Sequence, residues 1–176
     1  MAGYHALIQR VDQFCSKISE EHKEQIACTA GCSGCCQHIS VSPVEAESVR
    51  IALEKLPAEL LALLARRVDT PADAPCPLLV DGLCTVYESR PLICRTHGLP
   101  ILIEDEKGRR VDFCRLNFSG VESLPGGSII NLETLNSALA AINAAFAAES
   151  LQHGDPCARV PLAEIIRLVA GSAVGH

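Results

Sequence analysis

Clustered cysteines constrain this chain of 176 residues more strongly than any other feature of its sequence. Seven of the ten cysteines fall into two short blocks, one from Cys28 to Cys36 and the other from Cys76 to Cys94. Short spacings across glycine residues allow several sulfur atoms to converge on one point, which is the geometry of a metal or iron–sulfur site. The sequence therefore predicts a metal-binding protein.

The first block also has the spacing of a helical stripe. Cys28, Cys32 and Cys35 are four and then three residues apart, so on a regular helix they would share one face. Gly31 and Gly34 argue against a helix, since each costs about 1 kcal/mol inside one relative to alanine. Glycines instead allow tight turns and let backbone N–H groups approach sulfur, which stabilises thiolate charge. We therefore expect an irregular loop that presents thiols to a metal.

Eight cysteines are candidate metal ligands, which suits two four-thiolate sites or one cluster with spare thiols. The neighbouring side chains of Cys35 and Cys36 are expected to diverge. One of them would then bind a metal ion, while the other binds a second ion, bridges two ions or packs in the core. Spacing alone does not assign the ligands to sites. The candidates are Cys28, Cys32, Cys35, Cys36, Cys76, Cys84, Cys94 and Cys114.

Other residues near the cysteine blocks are weaker candidates for a role in metal binding. Cys15 lies on the apolar stripe of the first predicted helix, so we expect a small core residue rather than a ligand. His38 and His97 could substitute as ligands, although ordinary loop histidines are the more common case. Arg90 and Arg95 lie on either side of Cys94 in the sequence, where cations would offset thiolate charge. The alternative for both arginines is simple surface charge.

Apolar periodicity and helix-breaking residues predict a mainly α fold. We expect a single helical domain over residues 1–176, with one or two small β-hairpins, organised around one or more cysteine metal sites. The motif core spans about residues 28–114, and helices flank it at both ends. Ser42-Pro43-Val44-Glu45 is a capping box, and Asp81-Gly82 is a tight turn between Cys76 and Cys84. Helices are predicted over residues 4–24, 43–56, 57–68, 89–96, 132–146 and 161–171, and a second hairpin over 101–113.

Charge and apolar patterning indicate which classes of partner, and which cellular compartment, are expected. The formal charge is −6 and there is no basic run, so no nucleic-acid partner is expected. Residues 138–148 come closest to a membrane span, but Asn143 interrupts them, and no membrane association is expected. The N-terminus lacks an apolar stretch of signal-peptide length, which favours the cytoplasm. In that compartment thiols stay reduced, and a cysteine cluster indicates metal or redox chemistry more often than disulfides.

The order of the motifs resembles that of the YkgJ-type cysteine-cluster family, a largely bacterial family described as a zinc- or iron-chelating domain. The shared features are Cys-x3-Cys-x2-Cys-Cys, a Ser-Pro-x-Glu helix start, Cys-Pro-x-Leu, Gly-x-Cys-x-Val-Tyr-Glu-x-Arg-Pro and Cys-Arg, over about residues 28–114. The resemblance implies a bound zinc or iron ion. The Cys-x3-Cys-x2-Cys spacing of the first block is also one that holds a [4Fe–4S] cluster, so a cluster stays open as an alternative. The resemblance also implies motif cysteines at the first seven candidate positions, with Cys114 as the eighth.

Several functions remain open at this point. The leading hypothesis is a small metal-binding protein, acting as a binding or adaptor module for a protein partner if its sites are closed. The alternatives are an iron–sulfur redox protein and a metal-handling or thiol-redox protein. The domain also resembles the cysteine-rich part of flagellin lysine N-methylases, which allows an accessory component of a modifying enzyme. No glycine-rich loop for a methyl donor and no catalytic set can be identified, so the sequence does not identify an enzyme.

Overall fold

The computed structural model describes residues 1–71, 74–149, 155 and 157–173 and divides the chain into two compact units. Unit 1 comprises Met1, Gly31–Pro91 and the described residues from Asn143 onward. Unit 2 comprises Ala2–Ala30 and Leu92–Ile142. Each unit has its own cluster of buried apolar side chains. The single domain expected from the sequence stays a prediction.

About 49% of the described residues are helical, in agreement with the mainly α class. The predicted helices are present, with ends shifted by a few residues. None of the helices among the described residues is both long enough and apolar enough to cross a membrane. Organisation around a metal site stays a prediction. The helices are α1 (Ala2–Glu21), α2 (Pro43–Leu53), α3 (Ala58–Ala65), α4 (Leu92–Thr96), α5 (Leu132–Ala148) and α6 (Leu162–Ala173).

Seven short strands form three small sheets among the described residues. The two predicted hairpins are present as β2–β3 and β4–β5, both antiparallel. Two pairings were not predicted: β6 adds to β4 in parallel, and β1 pairs with β7 in antiparallel fashion. The strands are β1 (Ser40–Val41), β2 (Leu79–Val80), β3 (Leu83–Cys84), β4 (Ile101–Asp105), β5 (Gly108–Asp112), β6 (Ile130–Asn131) and β7 (Val160–Pro161).

In unit 1, α6 packs against α2 and α3. The predicted capping box begins α2: the Ser42 backbone N–H donates to Glu45 Oε2 at 2.9 Å, which satisfies a backbone donor at the helix start. Leu53, Leu64 and Ile166 are fully buried in the core between these helices. Cys76 and Cys84 pack against the same core, so it supports the segments that carry these thiols.

In unit 2, the buried residues of α1 include Tyr4, Val11 and Ile18, at helical spacing. Cys15 is buried in the same stripe, which confirms that it is a core residue. Helix α1 packs against α4, the helix that carries Cys94. This unit therefore supports a cysteine on a short helix that could not be stable alone.

Candidate metal centre

The two units divide the eight candidate cysteines into groups of five and three. The larger group lies in unit 1 and draws on both cysteine blocks. The smaller group lies in unit 2. All ten cysteines of the chain lie among the described residues, and none of them forms a disulfide bond. The groups are Cys32, Cys35, Cys36, Cys76 and Cys84 in unit 1, and Cys28, Cys94 and Cys114 in unit 2.

Backbone contacts hold the two cysteine blocks of unit 1 together. The Cys76 N–H donates to the Cys36 carbonyl oxygen at 3.0 Å. Next to it, Gln37 and Pro75 form an isolated antiparallel bridge. Because 40 positions separate Cys36 from Cys76 in the sequence, only this tertiary pairing can bring their side chains near each other.

The turn between β2 and β3 makes a further approach to the first block. Asp81 and Gly82 both have positive φ, 51° and 78°, which is typical of a tight type I′ hairpin turn. A Cβ atom at Gly82 would lie 3.6 Å from the carbonyl oxygen of Gly31. The predicted Asp-Gly turn therefore places the second block beside the glycine loop of the first.

Cys36, Cys76 and Cys84 form the centre of the unit 1 group. The Cys76 thiol interacts electrostatically with the thiols of both Cys84 and Cys36, and Cys36 interacts with Cys84. Burial, followed by repulsion from those two neighbours, raises the pKa of Cys76 to about 11. Burial also raises the pKa of Cys36 and of Cys84. Without a cation these thiols therefore keep their protons at neutral pH.

Two backbone hydrogen bonds act in the opposite direction. The N–H of Leu78 bonds to the Cys76 sulfur, and the N–H of Val86 bonds to the Cys84 sulfur, and each lowers the pKa of its thiol. In both cases the donor lies two residues after the cysteine. Such N–H···S bonds stabilise negative charge on sulfur and tune metal–thiolate centres. The local backbone therefore offsets part of the effect of burial at both positions.

The two arginines beside the second block have different roles. Arg90 lies over the Tyr87 ring, 3.9 Å from its centroid, and its charge lowers the pKa of Cys84. Arg90 is therefore a cation that favours the thiolate form of Cys84, as the sequence analysis predicted for an arginine near these thiols. Arg95 belongs to unit 2, where its buried side chain forms a salt bridge with Asp12 at 2.5 Å.

The expected divergence of Cys35 and Cys36 is wrong. Their thiols are hydrogen-bonded to each other, which raises the pKa of Cys35 after the larger effect of burial. The two cysteines lie at a tight turn, in which the Cys36 N–H donates to the Ser33 carbonyl oxygen at 2.9 Å, rather than in an extended segment, where neighbouring side chains point to opposite sides. Cys32 interacts electrostatically with both of these thiols.

Among the residues that the structure describes, no three Cys, His, Asp or Glu side chains stand in an arrangement ready to hold a metal ion. The donor chemistry of unit 1 nevertheless fits zinc or iron, because both metals take thiolate ligands. Three thiols from separate backbone segments interact there, and two of them already accept N–H bonds. The backbone of unit 1 therefore groups thiols of the kind that would hold either metal.

Two of the three unit 2 cysteines, Cys28 and Cys114, lie beside Gly98, two residues after the end of α4. Gly98 has a φ of 92°, and a Cβ atom there would meet Cys28 Sγ at 3.3 Å and Cys114 Cβ at 3.7 Å. Only glycine leaves room for both cysteines at this point. Cys94 is exposed on α4 in the same unit.

Asn117 is the residue near the thiols that the sequence analysis missed. It is buried, with 1% of its surface exposed. Its Nδ2 lies 3.4 Å from Cys28 Sγ and donates to the Gly98 carbonyl oxygen at 2.7 Å. An asparagine three residues after a cysteine has no distinctive sequence signal, so only the tertiary structure shows its role. His38, by contrast, contacts Thr70 Oγ1 at 3.2 Å, and His97 is exposed.

Comparison with known proteins gives one family. The model of the family CxxCxxCC, described as "putative zinc- or iron-chelating domain", matches residues 27–115, about half of the chain. The match covers all eight candidate cysteines. No curated protein and no solved structure matches the chain.

Proposed function

Because the chain belongs to the CxxCxxCC family of zinc- or iron-chelating domains, we propose that its clustered thiolates bind zinc or iron. In unit 1 the ligands are Cys36, Cys76 and Cys84, with Cys32 or Cys35 as the fourth. In unit 2, Cys28, Cys94 and Cys114 form a second group of ligands. The proposed setting is the reducing cytoplasm, where thiols remain available to the metal.

One observation carries this proposal. Cys36, Cys76 and Cys84 come from two distant stretches of sequence, yet their thiols interact with one another in pairs. A core can be built without placing three thiols together, and their burial and proximity make each of them harder to ionise. A bound cation would offset this cost, because metal-ligating thiols are deprotonated and their negative charge is stabilised by the ion. The proposed role of the ion is to join the first block to the β2–β3 hairpin.

A second candidate function is metal transfer. One tetrahedral ion takes four ligands, but unit 1 contains five candidate thiols, and Cys32 and Cys35 are both exposed. A spare exposed thiol next to a bound ion could exchange with a ligand and begin transfer to a protein partner. In that case the ion would leave rapidly to a competing thiol chelator, whereas an ion in a closed structural site would not.

Metal analysis of the protein purified without oxygen tests the proposal. We expect between one and two zinc or iron ions per chain. A colourless zinc protein indicates isolated thiolate sites, and a brown protein with iron and acid-labile sulfide indicates a cluster such as [4Fe–4S]. The proposal is wrong if the folded protein contains neither metal nor sulfide and takes up neither metal when supplied with it.

A further inference from the structure

The buried amide of Asn117 connects three separate segments of unit 2. Its Oδ1 accepts a hydrogen bond from the Ala27 N–H at 2.9 Å. Its Nδ2 donates to the Gly98 carbonyl oxygen at 2.7 Å and to Cys28 Sγ at 3.4 Å. The two amide hydrogens and the amide oxygen are therefore all engaged, which fixes the orientation of the side chain.

The backbone around Asn117 reinforces this arrangement. The Asn117 N–H donates to the Cys114 carbonyl oxygen at 2.8 Å, and the Phe118 N–H donates to the Gln25 carbonyl oxygen at 2.6 Å. The segment that carries Cys114 is thus tied to the segment that leads into Cys28. Since the positive φ and crowding at Gly98 exclude a side chain there, the Asn117 amide can approach the sulfur.

We propose that Asn117 is a positioning residue for metal binding, which sets the place and charge of the Cys28 sulfur beside Cys114. This inference rests on the proposed function, because Cys28 must be a ligand for it to hold. An N–H donor to a metal-bound thiolate stabilises its charge and fixes its direction. Loss of such an outer partner typically weakens metal affinity by about 10- to 100-fold.

The test compares Asn117→Asp with a matched variant, Asn143→Asp. An aspartate keeps the oxygen that accepts from Ala27 but loses both N–H donors. Asn143 is also buried, and its Oδ1 accepts a hydrogen bond from the Val44 N–H at 2.9 Å, at the start of α2. The measurement is the rate at which metal-loaded protein gives up its ion to a chromogenic chelator, together with the metal content at the start.

We expect Asn117→Asp to release the ion that Cys28 holds about tenfold faster than the unsubstituted protein, and Asn143→Asp to release it at the unsubstituted rate. If Asn117 had a purely structural role, two variants that lose the same stability would both release metal faster. Thermal unfolding of the metal-free proteins is therefore measured in parallel, to compare the stability that each variant loses. If Asn117→Asp does not fold, Asn117→Ser provides the same loss of the N–H donor without a buried carboxylate.

Combination with Cys28→Ser shows whether Asn117 acts through that sulfur. Because serine is a poor ligand, Cys28→Ser should lower the metal content per chain, and the further change at Asn117 should not lower it again. An unchanged release rate in the single Asn117 variant, or a further loss of metal in the double variant relative to Cys28→Ser, overturns the inference. If the unsubstituted protein holds no metal, it is the proposed function that fails, and the two failures are therefore distinguishable.

Discussion

Replacing Cys76 with serine is expected to abolish metal binding by unit 1. Cys76 is the thiol that interacts with both Cys84 and Cys36, and a serine hydroxyl is a poor ligand at neutral pH. At a free-metal concentration 1,000 times the dissociation constant, bound metal contributes about 4 kcal/mol of stability, which this variant would lose. The measurements are metal content per chain and denaturant unfolding with and without metal.

Cys157→Ser is the matched control for this substitution. Cys157 is exposed and lies outside the residues matched by the family model. The control should keep its metal and its unfolding midpoint. If Cys76→Ser kept the metal content and metal-dependent stability of the unsubstituted protein, Cys76 would not be a ligand.

Replacing Asp12 with alanine is expected to destabilise unit 2 by about 2 kcal/mol, because a hydrogen bond between charged groups is lost at a buried arginine. The Arg95 side chain is 2% exposed and pairs with Asp12 at 2.5 Å, in the contact between α4 and α1. For a chain of this length, that loss corresponds to a fall in melting temperature of roughly 4–8 °C. Thermal unfolding of the metal-free protein measures the effect, so that loss of metal does not contribute.

Glu104→Ala provides the comparison for an exposed ion pair. Glu104 pairs with Arg109 at 3.5 Å, and both side chains are more than half exposed. Removing this pair should change the stability by less than about 1 kcal/mol. Equal effects of the two substitutions would show that the burial of Arg95 has no energetic consequence and would contradict the account of the α1–α4 contact.

Local sequence signals were sufficient to predict most of the secondary structure. The Ser42 and Glu45 pair predicted the start of α2, because a capping box depends on residues only three positions apart. Asp81-Gly82 predicted the β2–β3 turn for the same reason, since both residues tolerate positive φ. The apolar stripe of α1 predicted both its helix and the burial of Cys15.

The features that the sequence analysis did not predict depend mainly on contacts between distant residues. Strands β1, β6 and β7 are two residues long, too short for a periodic pattern, and β6 pairs with a strand nearly 30 positions earlier. The division of the cysteines into five and three, and the buried amide beside Cys28, depend on which segments pack together. The mutual approach of Cys35 and Cys36 depends on a turn that their spacing does not specify.

X-ray absorption at the metal edge tests the central claim most directly, because it counts the atoms bound to the ion. For a protein purified without oxygen, we expect a first shell made mainly of sulfur at about 2.3 Å, with about four sulfurs per ion. Cys76→Ser should lower the number of sulfurs or the amount of metal. A shell of nitrogen and oxygen alone would contradict the proposal that clustered thiolates bind the metal in this protein.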